Sequence, residues 1–147
     1  MGAVVGQGAR RIHTQGAPMA TVRVERMIDA DPDAVWAVIT DPTAILDWFT
    51  GVVSARMTDE GREVTIESGE TVVEEIVTND SELRRFQYSV LRGDFPMEFH
   101  LSTIDVHDIN GSAFVVYALD IKPDEYGPAF TPNINAGMDG LVAHFAK

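Results

Sequence analysis

The strongest constraint on the fold is a long stretch of alternating apolar and polar residues, Val52 to Pro123, that turn residues interrupt at regular intervals. Alternation with a period of two is typical of strands that bury one face. The turns divide the stretch into about six strands of ordinary length. Because Asn110-Gly111 and similar turns join consecutive strands as hairpins, the stretch predicts an antiparallel meander. The other turn signals are Asp59-Glu60-Gly61, Glu67-Ser68-Gly69, Asn79-Asp80 and Arg92-Gly93-Asp94.

Three shorter elements precede this stretch. A first strand is predicted over Thr21 to Ala30, where side chains again alternate. Asp31-Pro32 has the form of an N-cap followed by the first helical position, and Asp41-Pro42 repeats that signal. The first helix must end near Asp41, because a residue before proline disfavours helical geometry. The sequence therefore predicts two short helices back to back, the second ending at Gly51.

The chain closes with a predicted amphipathic helix that begins at Thr131-Pro132 and has room for about four turns. The segment before it, Tyr126 to Phe130, is predicted to be a loop, and its glycine and two aromatic residues make it a candidate lid. A bent sheet around the helix leaves a space between the two, which is a natural cavity for a small ligand. The helix presents one apolar stripe to the sheet, formed by Ile134, Met138, Leu141, Val142 and Phe145.

This order of elements resembles the START-like helix-grip superfamily, also called SRPBCC, which includes polyketide cyclase/dehydrase-like proteins. The resemblance covers about residues 20–147. It implies an α+β fold in which a curved seven-stranded antiparallel sheet surrounds a C-terminal helix, with two short helices after the first strand. It also implies a cavity, but no universal catalytic set. The motifs that carry it are Ala30-Asp31-Pro32 through Val35-Trp36, Ile39-Thr40-Asp41-Pro42 with Trp48-Phe49, Glu74-Glu75-Ile76 followed by Arg85-Phe86-Gln87-Tyr88, and the hairpin from Asn110-Gly111 to Lys122-Pro123.

Length and charge narrow the classes of function. A chain of 147 residues fits one domain, which we expect to span residues 19–147 after a disordered leader of residues 1–18. The net charge of −12 repels phosphate backbones and anionic lipid headgroups, so neither nucleic acid nor a membrane is an expected partner. No apolar run reaches the length of a membrane span or has the form of a secretion signal, which favours a cytoplasmic protein.

The sequence predicts neither a metal site nor a cofactor. The chain has no cysteine, and its four histidines are dispersed without the spacing of metal ligands. No phosphate loop or dinucleotide fingerprint is present.

The fifth and seventh predicted strands supply the main candidates for the pocket. Tyr88 and Tyr117 lie in phase with apolar neighbours, so both phenols are expected in the cavity, where they could orient or protonate a ligand carbonyl. The alternative is that they are core residues bonded to the backbone or to water. Other predicted ligand contacts come from these strands, the second short helix and the last helix: Trp48, Phe49, Phe86, Leu119, Met138, Leu141 and Val142.

The register of the sixth strand is open. If the face that carries Glu98 and His100 turns inward, a carboxylate two residues from an imidazole could orient it as a general acid/base unit. The opposite set, Met97, Phe99 and Leu101, is more apolar and would normally occupy the core. In that case Glu98 and His100 would lie on a solvated face.

Arg26 shares a face with the apolar residues of the first strand. If that face is buried the guanidinium must be paired, and Glu74 or Glu75 could supply the carboxylate. It would then favour a ligand with a carboxylate, phenolate or enolate, and stabilise an enolate intermediate. The alternative is an edge-strand arginine that reaches water.

The outer face of the seventh strand is more apolar than a solvated surface usually is. Phe114, Val116 and Ala118 lie on it, which makes it a candidate homodimer contact.

Three functions remain open at this point. The leading one is binding of a hydrophobic or aromatic small molecule, polyketide-, lipid- or steroid-like, in the internal cavity. The alternative is a polyketide cyclase/dehydratase-type enzyme in which Tyr88, Tyr117, Arg26 and the Glu98-His100 pair act on a carbonyl compound. Binding needs only an apolar cavity, whereas catalysis needs converging polar groups. A protein-interaction role is the third.

Overall fold

A computed structural model describes residues 18–146 of the chain. The predicted leader, residues 1–18, lies outside this range except for Pro18. The predicted order of elements is confirmed. In chain order they are β1 (Ala20–Ile28), α1 (Pro32–Thr40), α2 (Ile45–Trp48), β2 (Val52–Met57), β3 (Arg62–Ile66), β4 (Thr71–Asp80), β5 (Arg85–Gly93), β6 (Phe99–Ile109), β7 (Ser112–Lys122) and α3 (Tyr126–His144). Within residues 18–146, none of the helices has both the length and the apolar character that a bilayer crossing requires.

The seven strands form one antiparallel sheet in the order β1-β7-β6-β5-β4-β3-β2. The strands from β2 to β7 follow one another as a meander, and β1 is added beside β7. The two edges are therefore β1 and β2. This confirms the α+β helix-grip architecture, with the sheet curved around α3.

Strict alternation on β7 defines the inner face of the sheet. Every second residue from Ala113 to Ile121 is buried, and those between are half-buried. Ile104 of β6 is paired with Tyr117 of β7, so β6 must share this alternation. The face that contains His100 therefore turns inward, although the opposite set is more apolar at the start of the strand. The buried residues of β6 are His100, Ser102, Ile104 and Val106.

Three β-bulges bend the strands at the β2 end of the sheet. The register shifts once between β2 and β3 and twice between β4 and β5. Each shift leaves one extra residue, namely Val53, Val77 and Leu91. These side chains are apolar yet about half exposed, because a bulged residue leaves the alternation of its strand. The bends curve the sheet around the space that α3 covers.

The two short helices follow their proline signals. Asp31 caps α1 by accepting a hydrogen bond from the Asp33 N–H at 3.4 Å, and Pro32 occupies the first helical position. The helix ends at Thr40, one residue before Asp41-Pro42. Both boundaries agree with the sequence prediction.

The final helix begins earlier than predicted. α3 starts at Tyr126, so the segment Tyr126 to Phe130 is its beginning and the prediction of a loop lid is wrong. Pro128 fits there because the first N–H groups of a helix have no intrahelical acceptor. Pro132 lies inside the helix. With 19 residues, α3 has about five turns, one more than expected.

Two glycines allow α3 to contact α2 and the residue after it. A Cβ atom at Gly140 would lie 1.9 Å from the carbonyl oxygen of Trp48, and one at Gly137 would lie 2.8 Å from the Phe49 ring. Since real Cβ atoms do not approach so closely, any side chain at Gly140 would push the helix away. The contact holds Phe49 beneath α3, where its ring meets that of Tyr117 edge-on at 6.4 Å.

Candidate ligand-binding cavity

A cavity of about 120 Å³ lies between the inner face of the sheet and the first half of α3. Its wall is mostly apolar, with side chains from α2, from the strands and from α3. Polar side chains from four neighbouring strands meet on one side, and we call this set the polar wall: Glu74, Tyr88, His100, Ser102 and Tyr117. Asn133 of α3 also lines the cavity.

Tyr88 and Tyr117 meet at the centre of the polar wall. Their hydroxyl groups are hydrogen-bonded to each other, and both side chains are buried. Burial raises the pKa of Tyr88 to about 12. Burial and the neighbouring Tyr88 raise the pKa of Tyr117 well above its usual value. Both phenols are therefore protonated at neutral pH and are available as hydrogen-bond donors.

A buried ion pair, Arg62–Glu74, supports the polar wall. Nε and Nη2 of Arg62 each lie 2.8 Å from Oε1 of Glu74, and Nη1 donates to the Pro42 carbonyl at 3.2 Å. The guanidinium carbon lies 5.1 Å from the centre of the Tyr88 ring, a cation–π contact. The arginine is permanently protonated and donates twice to one carboxylate oxygen, so the pair is ionised and carries no net charge.

The pKa shifts of the pair reflect opposing effects. Burial raises the pKa of Glu74, and the charge of Arg62 offsets part of that rise. Burial alone would lower the pKa of Arg62, but the Glu74 carboxylate reverses this and the net shift is upward. Removing either partner would leave the other poorly solvated.

Strand register places the two partners together. Arg62 and Glu74 are directly opposite on β3 and β4, so their side chains leave the sheet on the same side. Gly61, at φ +151°, precedes them, and a Cβ there would lie 2.1 Å from the Glu74 carbonyl oxygen. Only glycine allows the two backbones to approach at this point.

His100 joins β5 to β6 where their backbone pairing ends. The last paired residues are Tyr88 and Ser102. Beyond them, the Val90 N–H donates to Nδ1 of His100 at 3.1 Å, and Nε2 of the same ring lies 3.2 Å from Oγ of Ser102. Burial lowers the pKa of His100 to about 4, so the ring is neutral at neutral pH. The imidazole thus replaces a backbone contact and faces the cavity.

Aromatic side chains form another part of the cavity wall. Phe95 and Phe130 line the cavity and meet edge-on at 5.3 Å. Tyr126 stacks on Phe130 at 5.6 Å. Phe130 therefore reaches the cavity from the first turns of α3, not from a loop.

The structure separates the predicted ligand contacts into two groups. Phe49, Tyr88, Tyr117 and Leu119 line the cavity. The others do not. Met138, Leu141 and Val142 lie on the second half of α3, which packs into the core, while the cavity lies beneath the first half. Trp48, Phe86, Met138 and Leu141 are buried core residues, and Val142 is half-buried against that core.

The predicted Glu98–His100 pair is not formed. His100 faces the cavity, but Glu98 lies before the first residue of β6 and is exposed. Both ring nitrogens of His100 have partners other than Glu98. The prediction that Glu98 orients the imidazole is therefore wrong, since the alternation of β6 begins only at Phe99.

Arg26 is also outside the cavity wall. Its guanidinium pairs with Asp139 at 3.1 Å and bonds to Asn135 at 3.1 Å, both on α3. The predicted pairing with Glu74 or Glu75 is wrong. The apolar side of β1 faces the helix rather than the cavity, so Arg26 ties the edge strand to α3.

The sequence analysis does not identify Arg62 or Ser102 as site residues, and it places Phe130 in a loop lid rather than on a helix. Arg62 alternates with Val64 and Ile66, so a period-two reading of the third strand could have placed it inward. A buried arginine needs a partner, and Glu74 serves Arg62 rather than Arg26.

The candidate dimer surface on β7 is half-buried rather than open. Val116 lies between Glu25 of β1 and Asp105 of β6, so charged side chains border it on both sides. The homodimer remains a prediction. Across residues 18–146, no group of three or more potential metal ligands is found.

Comparison with known proteins agrees with this architecture. Residues 19–146 match the family model described as polyketide cyclase / dehydrase and lipid transport. No curated protein matches the chain at a significant level.

Solved structures share the fold at low sequence identity. The protein XoxI from Bacillus cereus has a TM-score of 0.78 and 23% identity, over 86% of this chain and 95% of that chain. An aromatase/cyclase from Streptomyces, Zhui, has a TM-score of 0.76 and 16% identity, over 86% of this chain and 93% of that one. Norcoclaurine synthase from Thalictrum flavum, solved with dopamine and hydroxybenzaldehyde, has a TM-score of 0.70 and 17% identity, over 90% of this chain and 89% of that one.

Proposed function

Because the chain belongs to the polyketide cyclase / dehydrase and lipid transport family, we propose that it binds an uncharged, ring-sized apolar molecule in the cavity beneath α3. The observation that carries the proposal is a mostly apolar cavity in which five of the polar groups are gathered on the sheet side. Such a combination is typical of small-molecule sites, where apolar walls supply affinity and a few polar groups fix orientation.

The volume limits the size of the ligand. The cavity measures about 120 Å³, whereas an engineered cavity of about 150 Å³ takes up benzene and drug-sized ligands occupy about 300–1,000 Å³. One ring with a short substituent is the appropriate size. A polyketide, lipid or steroid skeleton would require the wall to widen. A structural neighbour was solved with hydroxybenzaldehyde, a compound of the size proposed.

The polar wall favours an uncharged ligand. The Arg62–Glu74 pair neutralises itself, both phenols remain protonated, and His100 is neutral. A charged ligand would therefore lose its hydration without gaining a counter-charge, which is strongly unfavourable in an apolar site. This replaces the expectation of an anionic ligand, which depended on Arg26 entering the cavity.

Binding is favoured over catalysis by the same groups. General acid–base catalysis works best when the pKa of the catalytic group lies near the working pH. Burial moves the pKa of Tyr88 up to about 12 and that of His100 down to about 4, both away from neutrality. Both nitrogens of the His100 ring are also already hydrogen-bonded. We therefore assign these groups to ligand orientation rather than proton transfer.

Titration with toluene and with benzoate tests the proposal. Toluene should bind and raise the melting temperature, whereas benzoate, of similar size but charged, should not. The substitution Val64→Phe extends a lining side chain into the cavity and should abolish toluene binding. Val53→Phe makes the same change at an exposed position of β2 and should leave binding intact. Equal toluene affinity in the two variants would overturn the proposal.

A further inference from the structure

The Arg62–Glu74 ion pair leaves one carboxylate oxygen without a donor. Nε and Nη2 of Arg62 both lie 2.8 Å from Oε1 of Glu74, and Nη1 donates to the Pro42 carbonyl. Arginine–carboxylate pairs are frequently bidentate, with each nitrogen bonded to its own oxygen. Arg85 has that geometry, since its Nε and Nη2 donate to the two oxygens of Asp105 at 2.8 and 2.9 Å. Within residues 18–146, no N–H or O–H group donates to Oε2 of Glu74.

This second oxygen of Glu74 is open to the cavity. Sealed polar atoms without a partner are rare, and among the side chains that the structure describes only Nε1 of Trp48 is of this kind. Oε2 of Glu74 is therefore not sealed, although the side chain as a whole is almost fully buried. Glu74 leaves the sheet on its inner face and lines the cavity, which is the open space on that face. A charged acceptor thus faces the ligand from an otherwise buried side chain.

A carboxylate oxygen in an apolar site requires a hydrogen-bond donor. A ligand that displaces solvent from Oε2 without donating to it leaves the oxygen unsolvated and loses affinity. A hydroxyl group on the ligand supplies the donor, and a hydrogen bond to a charged acceptor is stronger than one between neutral groups. An ammonium group is a poorer partner, because Arg62 already neutralises the carboxylate and would repel a second cation.

We propose that Oε2 of Glu74 selects, among uncharged ring-sized molecules, those that carry a hydroxyl group, such as phenols and cyclic alcohols. The inference rests on the proposed function, because it names the chemical class that the same cavity prefers. Arg62 is a positioning residue, since it holds the carboxylate through Oε1 and leaves Oε2 to the ligand. A bidentate pair would satisfy both oxygens and offer the ligand no acceptor.

Phenol and toluene test the inference, because a hydroxyl and a methyl group have nearly the same size and only the hydroxyl donates. The double substitution Arg62→Met with Glu74→Leu removes the acceptor without leaving one buried charge alone. It should lower the affinity for phenol relative to that for toluene by about ten-fold, the effect of one hydrogen bond to a charged group. The ratio of the two affinities is the readout, because a change in cavity shape affects both ligands.

The surface pair Arg92–Glu60 supplies the matched control. Arg92→Met with Glu60→Leu makes the same chemical change where both side chains are more than half exposed and neither lines the cavity. The control should leave the affinity ratio unchanged in calorimetric titration. An unchanged ratio in the Arg62–Glu74 variant, or an equal fall in the control, would overturn the inference but not the proposed function. Failure of both ligands to bind the unmodified protein would overturn both.

A measurement on the unmodified protein keeps the test independent of how well the double variant folds. With ¹³C in the glutamate side-chain carboxyl groups, the Glu74 resonance is identified by its loss in Glu74→Gln. It should shift when phenol is added and stay in place when toluene is added. Equal shifts with the two ligands would contradict the inference, whereas a shift with phenol alone supports a hydrogen bond to the carboxylate.

Discussion

Removing either partner of the Arg62–Glu74 ion pair tests directly whether this pair stabilises the polar wall. Both side chains are almost fully buried, at 2% and 9% exposure. The pair makes two contacts of 2.8 Å, and Arg62 also bonds to the Pro42 carbonyl. Arg62→Met keeps the length and apolar character of the arginine stem but leaves the Glu74 carboxylate without a partner.

The expected cost follows from desolvation. Breaking a buried pair by removing one charge typically costs about 3–5 kcal/mol, because the remaining charge is buried alone. For a domain of this length that corresponds to a fall in the melting temperature of about 10–15 °C. Glu74→Leu should be similarly destabilising. Replacing both together should restore much of the loss, since apolar substitutes for a whole buried pair are often neutral or stabilising.

Urea denaturation followed by circular dichroism measures these changes. The matched control is the exposed pair Arg92–Glu60 at the surface, where Glu60→Ala should leave the denaturation midpoint unchanged because solvent screens the pair. The reasoning is refuted if either buried single variant costs less than about 1 kcal/mol, or if the double variant is less stable than both single variants.

The pH dependence of Arg62→Met provides an internal check. Without the arginine, burial alone acts on Glu74 and its pKa in the folded state lies above that of the unfolded chain. Folding then takes up a proton, so this stabilising contribution is complete below a pH of about 4.3 and is lost as the pH rises through the folded-state pKa. The variant should therefore become relatively more stable on acidification from neutral pH, in comparison with the unmodified protein.

Three further predictions concern individual residues. The pKa of His100 falls from 6.5 to about 4 on folding. As the pH drops, the unfolded chain is therefore protonated at a higher pH than the folded protein. The free energy of unfolding should fall across this interval by up to about 3 kcal/mol. Urea titrations at several pH values should show that His100→Asn lacks this component. Gly140→Ala should lower stability by more than about 1 kcal/mol, despite the better helix propensity of alanine, because its Cβ would clash with the Trp48 carbonyl; a higher melting temperature would contradict the packing described. Arg26→Gln should leave the toluene affinity measured by calorimetry unchanged, because Arg26 contacts α3 outside the cavity. A clear loss of affinity would show instead that Arg26 belongs to the binding site.

Local signals predicted the framework because they act over a few residues. The Asp-Pro pairs and the Asn-Gly turn specify boundaries directly, and period-two alternation specifies strands without reference to the rest of the chain. Tyr117 was placed inward correctly because its neighbours on β7 are apolar throughout. The start of α3 was missed because Gly127 and Pro128 are typical loop residues, yet both are compatible with the first turn of a helix.

The cavity wall was harder to predict because it depends on pairing between distant segments. The inward position of His100 follows from the pairing of Ile104 with Tyr117, not from the residues next to it. The partner of Glu74 is decided by the register of β3 against β4, in which Arg62 stands directly opposite. Gly137 and Gly140 determine which part of α3 covers the cavity, because they contact Phe49 and Trp48 closely. The helical periodicity of the sequence does not predict these contacts.

A ligand in the cavity should stabilise the fold, because a molecule that binds only the folded protein shifts the unfolding equilibrium. The cavity wall is held in place, because Arg62 is bonded to Glu74, the two phenols are bonded to each other, and the glycines of α3 fix the position of Phe49. A ligand at about one hundred times its dissociation constant would contribute about 2.7 kcal/mol. Thermal unfolding with saturating toluene should therefore raise the melting temperature of the unmodified protein, whereas Val64→Phe, with the space already filled, should show no ligand-dependent shift.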